Sequence, residues 1–227
     1  MGKFAKCRNR MALLSYRVFR SWRVFRLDGQ RYRYFYQLYN HTWRNERAVE
    51  IPVMRRWLMS CDPGAVLEVG NVMGHYFPVT HDIIDKYEKA PGVVNRDVTE
   101  FYREKRYRLI FSISTLEHIG YDEKLMSERP AQGDPGKIRK AIEVLQRHLA
   151  PGGRLVFTLP VGFNPAADQV LREGGLCGEV SCLKRISQDN VWVETSLTDA
   201  LGQAYGQPYP CANGVVFVSV CPPDNMR

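Results

Sequence analysis

Four acidic side chains stand where apolar runs of this chain stop: Glu68 in AVLEVGNVMGHY, Asp85 in HDIIDKY, Asp97 in VVNRDVTEF and Glu117 in SISTLEHIG. Gly70 and Gly74 follow Glu68, and His118 follows Glu117. Each residue type brings a specific capability. A carboxylate accepts the paired hydroxyls of a ribose, and a glycine lets the backbone come close to a ligand. Histidine titrates nearest to neutral pH and can take a proton from an acceptor. The combination points to a nucleotide-like ligand beside a proton-accepting group. On the first stretch alone a structural reading stays open, because glycine also serves any tight strand-to-helix turn.

For these side chains to meet, their runs must be neighbouring strands. Strand candidates are residues 65–69, 82–86, 93–95, 109–114 and 154–159. A helix over residues 137–149 lies between the last two and is stopped by Ala150-Pro151-Gly152-Gly153. Residues 191–194 and 215–220 read as two final strands, the last antiparallel, after a Gly-rich polar stretch over 161–190. Strands interleaved with helices argue for a sheet covered on both faces. The expected fold is α/β: a Rossmann-like, doubly wound, seven-stranded, mostly parallel sheet with an antiparallel last strand. A basic N-terminal extension of helix and hairpin (residues 1–60) would pack on a catalytic domain (residues 61–227). In such a sheet the ligand lies outside the carboxyl ends of the strands, where all four acids fall. The dinucleotide signature G-x-G-x-x-G is absent, since Gly70-Asn71-Val72-Met73-Gly74 has a different spacing.

On these residues the chain resembles the class I S-adenosylmethionine-dependent methyltransferases, from about residue 65 to residue 160, with the two final strands consistent with it. The family has an acidic-x-Gly-x-Gly-x-Gly loop after its first strand, a ribose-binding acid after the second and an adenine-binding acid after the third. A helix ending in Pro-Gly-Gly precedes its fifth strand. The resemblance implies S-adenosylmethionine as cofactor, held by Glu68, Gly70, Gly74, Asp85 and Asp97, with Val98, Ser114 and the loop residue Asn71 beside them. Val72 departs from the family pattern, standing where its middle glycine would be.

The acceptor side rests on fewer residues. A neutral hydroxyl is a poor nucleophile, so a base within reach matters, and His118 with Glu117 beside it is the candidate catalytic pair. The alternative is that His118 caps a turn or lines the adenosyl pocket. Asp122 and Glu123 could, with His118, hold Mg²⁺ against vicinal acceptor oxygens, or simply be solvated. His75, directly after Gly74, could face the cofactor, and His81 is less informative. Residues 120–136 are long and polar and suit a lid. Arg44 and Arg47 could reach over the cleft or lie on a solvated helix face. The expected acceptor is a small molecule, a sugar or glycan intermediate. The missing Asn/Asp-Pro-Pro-Tyr type motif, replaced by Ser114-Thr115-Leu116-Glu117, disfavours base-nitrogen methylation and a nucleic-acid partner. A non-catalytic binding module of the same fold is the third reading, which Glu68, Asp85 and Asp97 argue against.

Charge is concentrated at one end. Residues 1–47 carry twelve Lys and Arg against Asp28 and Glu46, a net of +10 within a chain of +8, so the remaining 180 residues sum to −2. Leu14, Val18 and Trp22 recur at helical spacing over residues 11–23, and Asp28-Gly29 between alternating runs signals a hairpin. The first ten residues read as a frayed basic tail. This arginine- and aromatic-rich head could stack on RNA, lie on an anionic membrane, or pack as a hairpin with its arginines facing water or an anionic acceptor. With no spanning apolar run and no secretory h-region, the expected location is cytoplasmic, with a membrane-peripheral variant if the head binds lipid. Lys6 stands where a myristoylation signal has Ser or Thr. The six cysteines show no metal-finger spacing, and Cys177 with Cys182 is the only close pair. Oligomeric state is not legible.

Overall fold

The computed structural model describes residues 3–121, 134–174 and 178–222. The chain opens with helix α1 (Lys3–Phe19), which begins eight residues earlier than its apolar spacing suggests and takes in most of the expected tail. Strands β1 (Val24–Leu27) and β2 (Gln30–Arg33) form the expected hairpin. Asp28 and Gly29 both have positive φ, 51° and 70°, the combination that a two-residue turn requires to match strand twist. Helix α2 (Arg47–Met59) follows. Pro52 inside it cannot donate to the Ala48 carbonyl, and that carbonyl instead accepts from the Phe35 amide at 2.9 Å. The carbonyl that Pro52 leaves free thereby ties the segment after β2 to α2.

The body is one sheet of β3 (Val66–Val69), β4 (Asp82–Ile84), β5 (Val93–Val94), β6 (Tyr107–Ile113), β7 (Leu149–Pro160), β8 (Gly178–Arg185), β9 (Trp192–Thr195) and β10 (Gly214–Val220). Its order is β5-β4-β3-β6-β7-β10-β8-β9. The first five in that order are parallel. β10 runs antiparallel to both β7 and β8, and β9 antiparallel to β8. The sheet is Rossmann-like and mostly parallel, with eight strands rather than seven. β8 and helix α4 (Pro165–Glu173) lie in the stretch read as irregular. The Ala150–Gly153 stop ends helix α3 (Pro135–Arg147) as expected, but its residues already belong to β7.

The winding also differs. The β3–β4 and β4–β5 connections hold only a short 3-10 turn (Met73–His75) and irregular chain, not helices. The face they leave open is covered from the N-terminal side: Ile51 and Met54 of α2 pack on Val66, Leu109, Phe111 and Val156. On the other face α3 and α4 bury Ile138, Ala141, Ile142, Leu145 and Val170 against β6, β7 and β10. Phe25, Leu27, Tyr34 and Trp43 share a further cluster with Leu183, Trp192 and Phe217 of the last three strands. The extension and the body thus have a core in common. A short helix α5 (Leu197–Leu201) leads toward β10. Cys7, Cys61, Cys182, Cys211 and Cys221 are free thiols, and Cys177 lies outside the described residues.

Candidate functional site

These strands are parallel, but their order switches at β3: β4 and β5 are added on one side of it and β6 and β7 on the other, so the ends of β3, β4, β5 and β6 open into one crevice. Gly70 sits at its centre with φ +85°, and a Cβ there would collide with the Thr115 side chain. Both the turn and the close approach demand glycine. Glu68, two residues earlier, does not face the crevice. Its carboxylate is fully buried, accepts the Val72 and Met73 amides at 2.8 Å each, and meets His81 Nε2 at 2.7 Å. The acid expected to touch a ligand instead holds the glycine loop in shape, with His81 as its partner. Gly74 is likewise structural, since a Cβ there would run into the Asn71 side chain.

The crevice holds a cavity of about 470 Å³ lined by Gly70, Asp85, Asp97, Val98, Ser114, Thr115, His118 and Lys137, among others. That volume suits a ligand of nucleoside size. Asp85 Oδ1 accepts the Tyr87 and Glu88 amides at 2.7 Å each, which fixes the carboxylate at the end of β4. Asp97 caps the turn after β5, with Oδ1 accepting from the Thr99 amide and hydroxyl and Oδ2 facing Lys86 and Lys137 at 3.1 and 3.3 Å. Burial pushes its carboxyl up, but those bonds outweigh burial and hold it well below the usual carboxylate range. Ser114 has the uncommon φ of 39°, held by its amide bonding Thr158 Oγ1 at 3.0 Å and its hydroxyl donating to Glu50. A strained non-glycine residue over-determined by its neighbours is a frequent mark of a working site.

Next to this cavity lies a recess of about 200 Å³ that shares Gly70, Asp85, Glu88 and Thr115 with it and adds Tyr39, Asn40, Arg47, Asn71 and His75. Tyr39 stacks on His75 at 4.5 Å between ring centres, and Glu88 bonds both His75 and the Asn71 amide. Arg47 is not on a solvated face. It pairs with the fully buried Glu50, and burial, which would lower its pKa, is outweighed by Glu50 and Glu46. Arg44, by contrast, is exposed. Glu117 is 1% exposed, Oε2 of its carboxyl has no hydrogen-bond partner, and burial drives its pKa well above the usual range. Burial thus favours the protonated form of this carboxyl. His118 Nε2 lies 3.8 Å from Glu117 Oε1, and the ring packs at 4.9 Å on Phe163, which in turn meets Tyr121 and Tyr205.

The structure brings Gly70, Asp85, Asp97, Val98, Ser114 and His118 to one cavity, puts Asn71 in the adjoining recess, turns Glu68 and Glu117 into the protein, and leaves Gly74 exposed and outside both openings. Asp122 and Glu123, and most of the expected lid, lie outside the described residues. Among the described residues no three His, Cys, Asp or Glu side chains are grouped to hold a metal ion. No described helix is long and apolar enough to cross a membrane. Sequence reading missed Glu50, Thr115, Glu88, Lys137 and Phe163. Only Thr115 carried a local signal, by standing two residues past the end of β6.

No protein-family model matches the chain, and no curated protein matches it. Among solved structures, the N-methyltransferase NodS of Bradyrhizobium japonicum in complex with S-adenosyl-L-homocysteine is 16% identical over 79% of this chain and 88% of its own, with a TM-score of 0.47. An rRNA methylase of Streptococcus thermophilus is 11% identical over 76% and 96%, with a TM-score of 0.44. A sugar N-methyltransferase of a Streptoalloteichus species is 14% identical over 77% and 87%, with a TM-score of 0.38. All three are methyltransferases. Likeness at this level decides neither the substrate nor the atom methylated.

Proposed function

We propose that the chain is an S-adenosylmethionine-dependent methyltransferase acting on a hydroxyl oxygen of a small acceptor, with a sugar or glycan intermediate as the best fit. The observation that carries this reading is the single cavity in which Gly70, Asp85, Asp97 and Val98 meet at successive strand ends. In this reading Asp85, its Oδ1 already bonded to two amides, accepts ribose hydroxyls with Oδ2. Asp97 and Val98 border the position an adenine would take, and Gly70 lets the chain pass close to the sugar. When bound, the cofactor supplies an activated methyl on sulfur, and the protein's task is alignment and proton removal.

His118 would take the acceptor's hydroxyl proton, raising the nucleophilicity of that oxygen toward the cofactor's methyl. Its ring lines the cavity and packs on Phe163, which meets Tyr121 and Tyr205; an acceptor approaching His118 from that side would find aromatic rings, which suit the face of a sugar. Glu117 stands behind His118 and positions it.

The test is incubation with methyl-labelled cofactor and fractionated cell extract. Label should enter a small, polar acceptor through a methyl ether. His118→Ala should lower turnover by about 10²–10⁴-fold with little change in affinity for S-adenosylhomocysteine. An unchanged rate removes His118 as base, and failure of S-adenosylhomocysteine to bind removes the cofactor assignment.

A further inference from the structure

The outer face of α1 has no role in the site. Its inner face is anchored: Leu13 is buried, Asn9 bonds His41 at 2.9 Å, Arg17 donates to the Tyr36 carbonyl, Tyr16 meets Tyr36 edge to face, and Arg20 pairs with Asp189. The opposite face presents Met11, Leu14, Val18 and Phe19, with Trp22 just beyond the helix end, at 67, 59, 58, 70 and 73% exposure. Spacings of three and four residues set Met11, Leu14 and Val18 on one stripe. Large exposed apolar side chains are ordinary when scattered, but a contiguous row on a docked helix marks a contact surface.

Charge identifies the occupant. No acidic residue precedes Asp28, so α1 is purely basic. Exposed Arg8 and Arg10 flank the stripe, whereas Arg20 and Arg23 are partnered by Asp189 on the body. A second copy of this chain would bring the same arginine rows together, and nucleic acid phosphates have no use for an apolar stripe. An apolar face bordered by arginines and closed by a tryptophan is the pattern of a helix lying in the headgroup region of an anionic bilayer.

We propose that α1 docks the protein on anionic membrane surfaces, with Met11, Leu14, Val18, Phe19 and Trp22 entering the acyl boundary and Arg8 and Arg10 meeting lipid phosphates. This holds whatever the crevice catalyses.

The full chain is sedimented with phosphatidylglycerol–phosphatidylcholine vesicles and with phosphatidylcholine vesicles alone. Binding should require the anionic lipid and weaken with salt, and tryptophan emission should shift to the blue in the wild type but not in Trp22→Phe. Leu14→Asp and Val18→Asp should each cut partitioning by roughly tenfold or more. Arg8→Glu and Arg10→Glu should cut it by at least about fivefold per residue. These side chains are exposed, so melting temperature should not change. Absence of binding to anionic vesicles at low salt overturns the proposal, as does binding that survives Leu14→Asp and Val18→Asp. Self-association on gel filtration that the same two variants abolish assigns the face to a second copy and also overturns it.

Discussion

Glu68 separates two accounts of the crevice that sequence alone leaves merged: an acid that touches the ligand, or an acid that shapes the loop which does. Glu68→Gln keeps one carbonyl oxygen for the Val72 and Met73 amides and places an amide group opposite His81. Two charge-assisted bonds become neutral ones, a difference of about 1–2 kcal/mol in total. For a chain of this size, 1 kcal/mol moves the melting temperature by about 2–4 °C, so the expected drop is about 2–8 °C. Glu68→Ala leaves both buried amides without an acceptor, at about 1–3 kcal/mol each, and opens a void as well. It should be far less stable or fail to fold. Differential scanning calorimetry reads stability, and titration with S-adenosylhomocysteine reads the site. If Glu68 acts only through the loop, Glu68→Gln binds within a few-fold of the wild type while melting earlier. An affinity loss above about tenfold, 1.4 kcal/mol, with an unchanged melting temperature would mean direct ligand contact and refute the loop-clamp reasoning.

Gly70→Ala places a residue with a Cβ at φ +85° for about 1–2 kcal/mol before its collision with Thr115 is counted, and should abolish measurable cofactor binding. Asp85→Asn preserves an oxygen for the Tyr87 and Glu88 amides, so it should melt normally yet bind S-adenosylhomocysteine about 10- to 100-fold more weakly. Normal affinity would remove Asp85 from the ribose site. Asp97 is held below its unfolded value of about 3.9, so its contribution is present above about pH 4 and lost as pH falls below that. The gap in melting temperature between wild type and Asp97→Asn should therefore be open at pH 7 and close at strongly acid pH. Glu117 has the opposite sign. Its raised folded pKa means that stability declines as pH rises from about 4.3, so Glu117→Gln should gain on the wild type as pH rises above that value. A gap that does not vary with pH would mean the carboxyl is ionised in the folded protein.

What could be read in the sequence follows how local each cause is. β3 and β6, VLEV and YRLIFSI, are buried on both faces, so their apolar runs are nearly continuous and announce themselves. Asp28-Gly29 announces its hairpin for the same reason, because the turn chemistry sits within two residues. β8 was hidden because the first three residues of GEVSCLKR are exposed and only its later half enters the core. α4 was legible in principle, since Asn164 caps it and Pro165 opens it. In the site, residue type predicted that Asp85 and Glu68 matter, but not that one faces the crevice and the other turns inward. That direction depends on where the amides of residues 72 and 73 fall in space. Glu50 reaches Ser114 across 64 positions of chain, a meeting only the packing of α2 on β6 creates. The N-terminal helix makes the same point: Leu14 and Val18 were recognisable as one apolar face, yet the residue that enters the core is Leu13. Periodicity shows that a helix has an apolar side. Whether that side is buried depends on what the rest of the fold sets against it, and nothing among the described residues is set against this one.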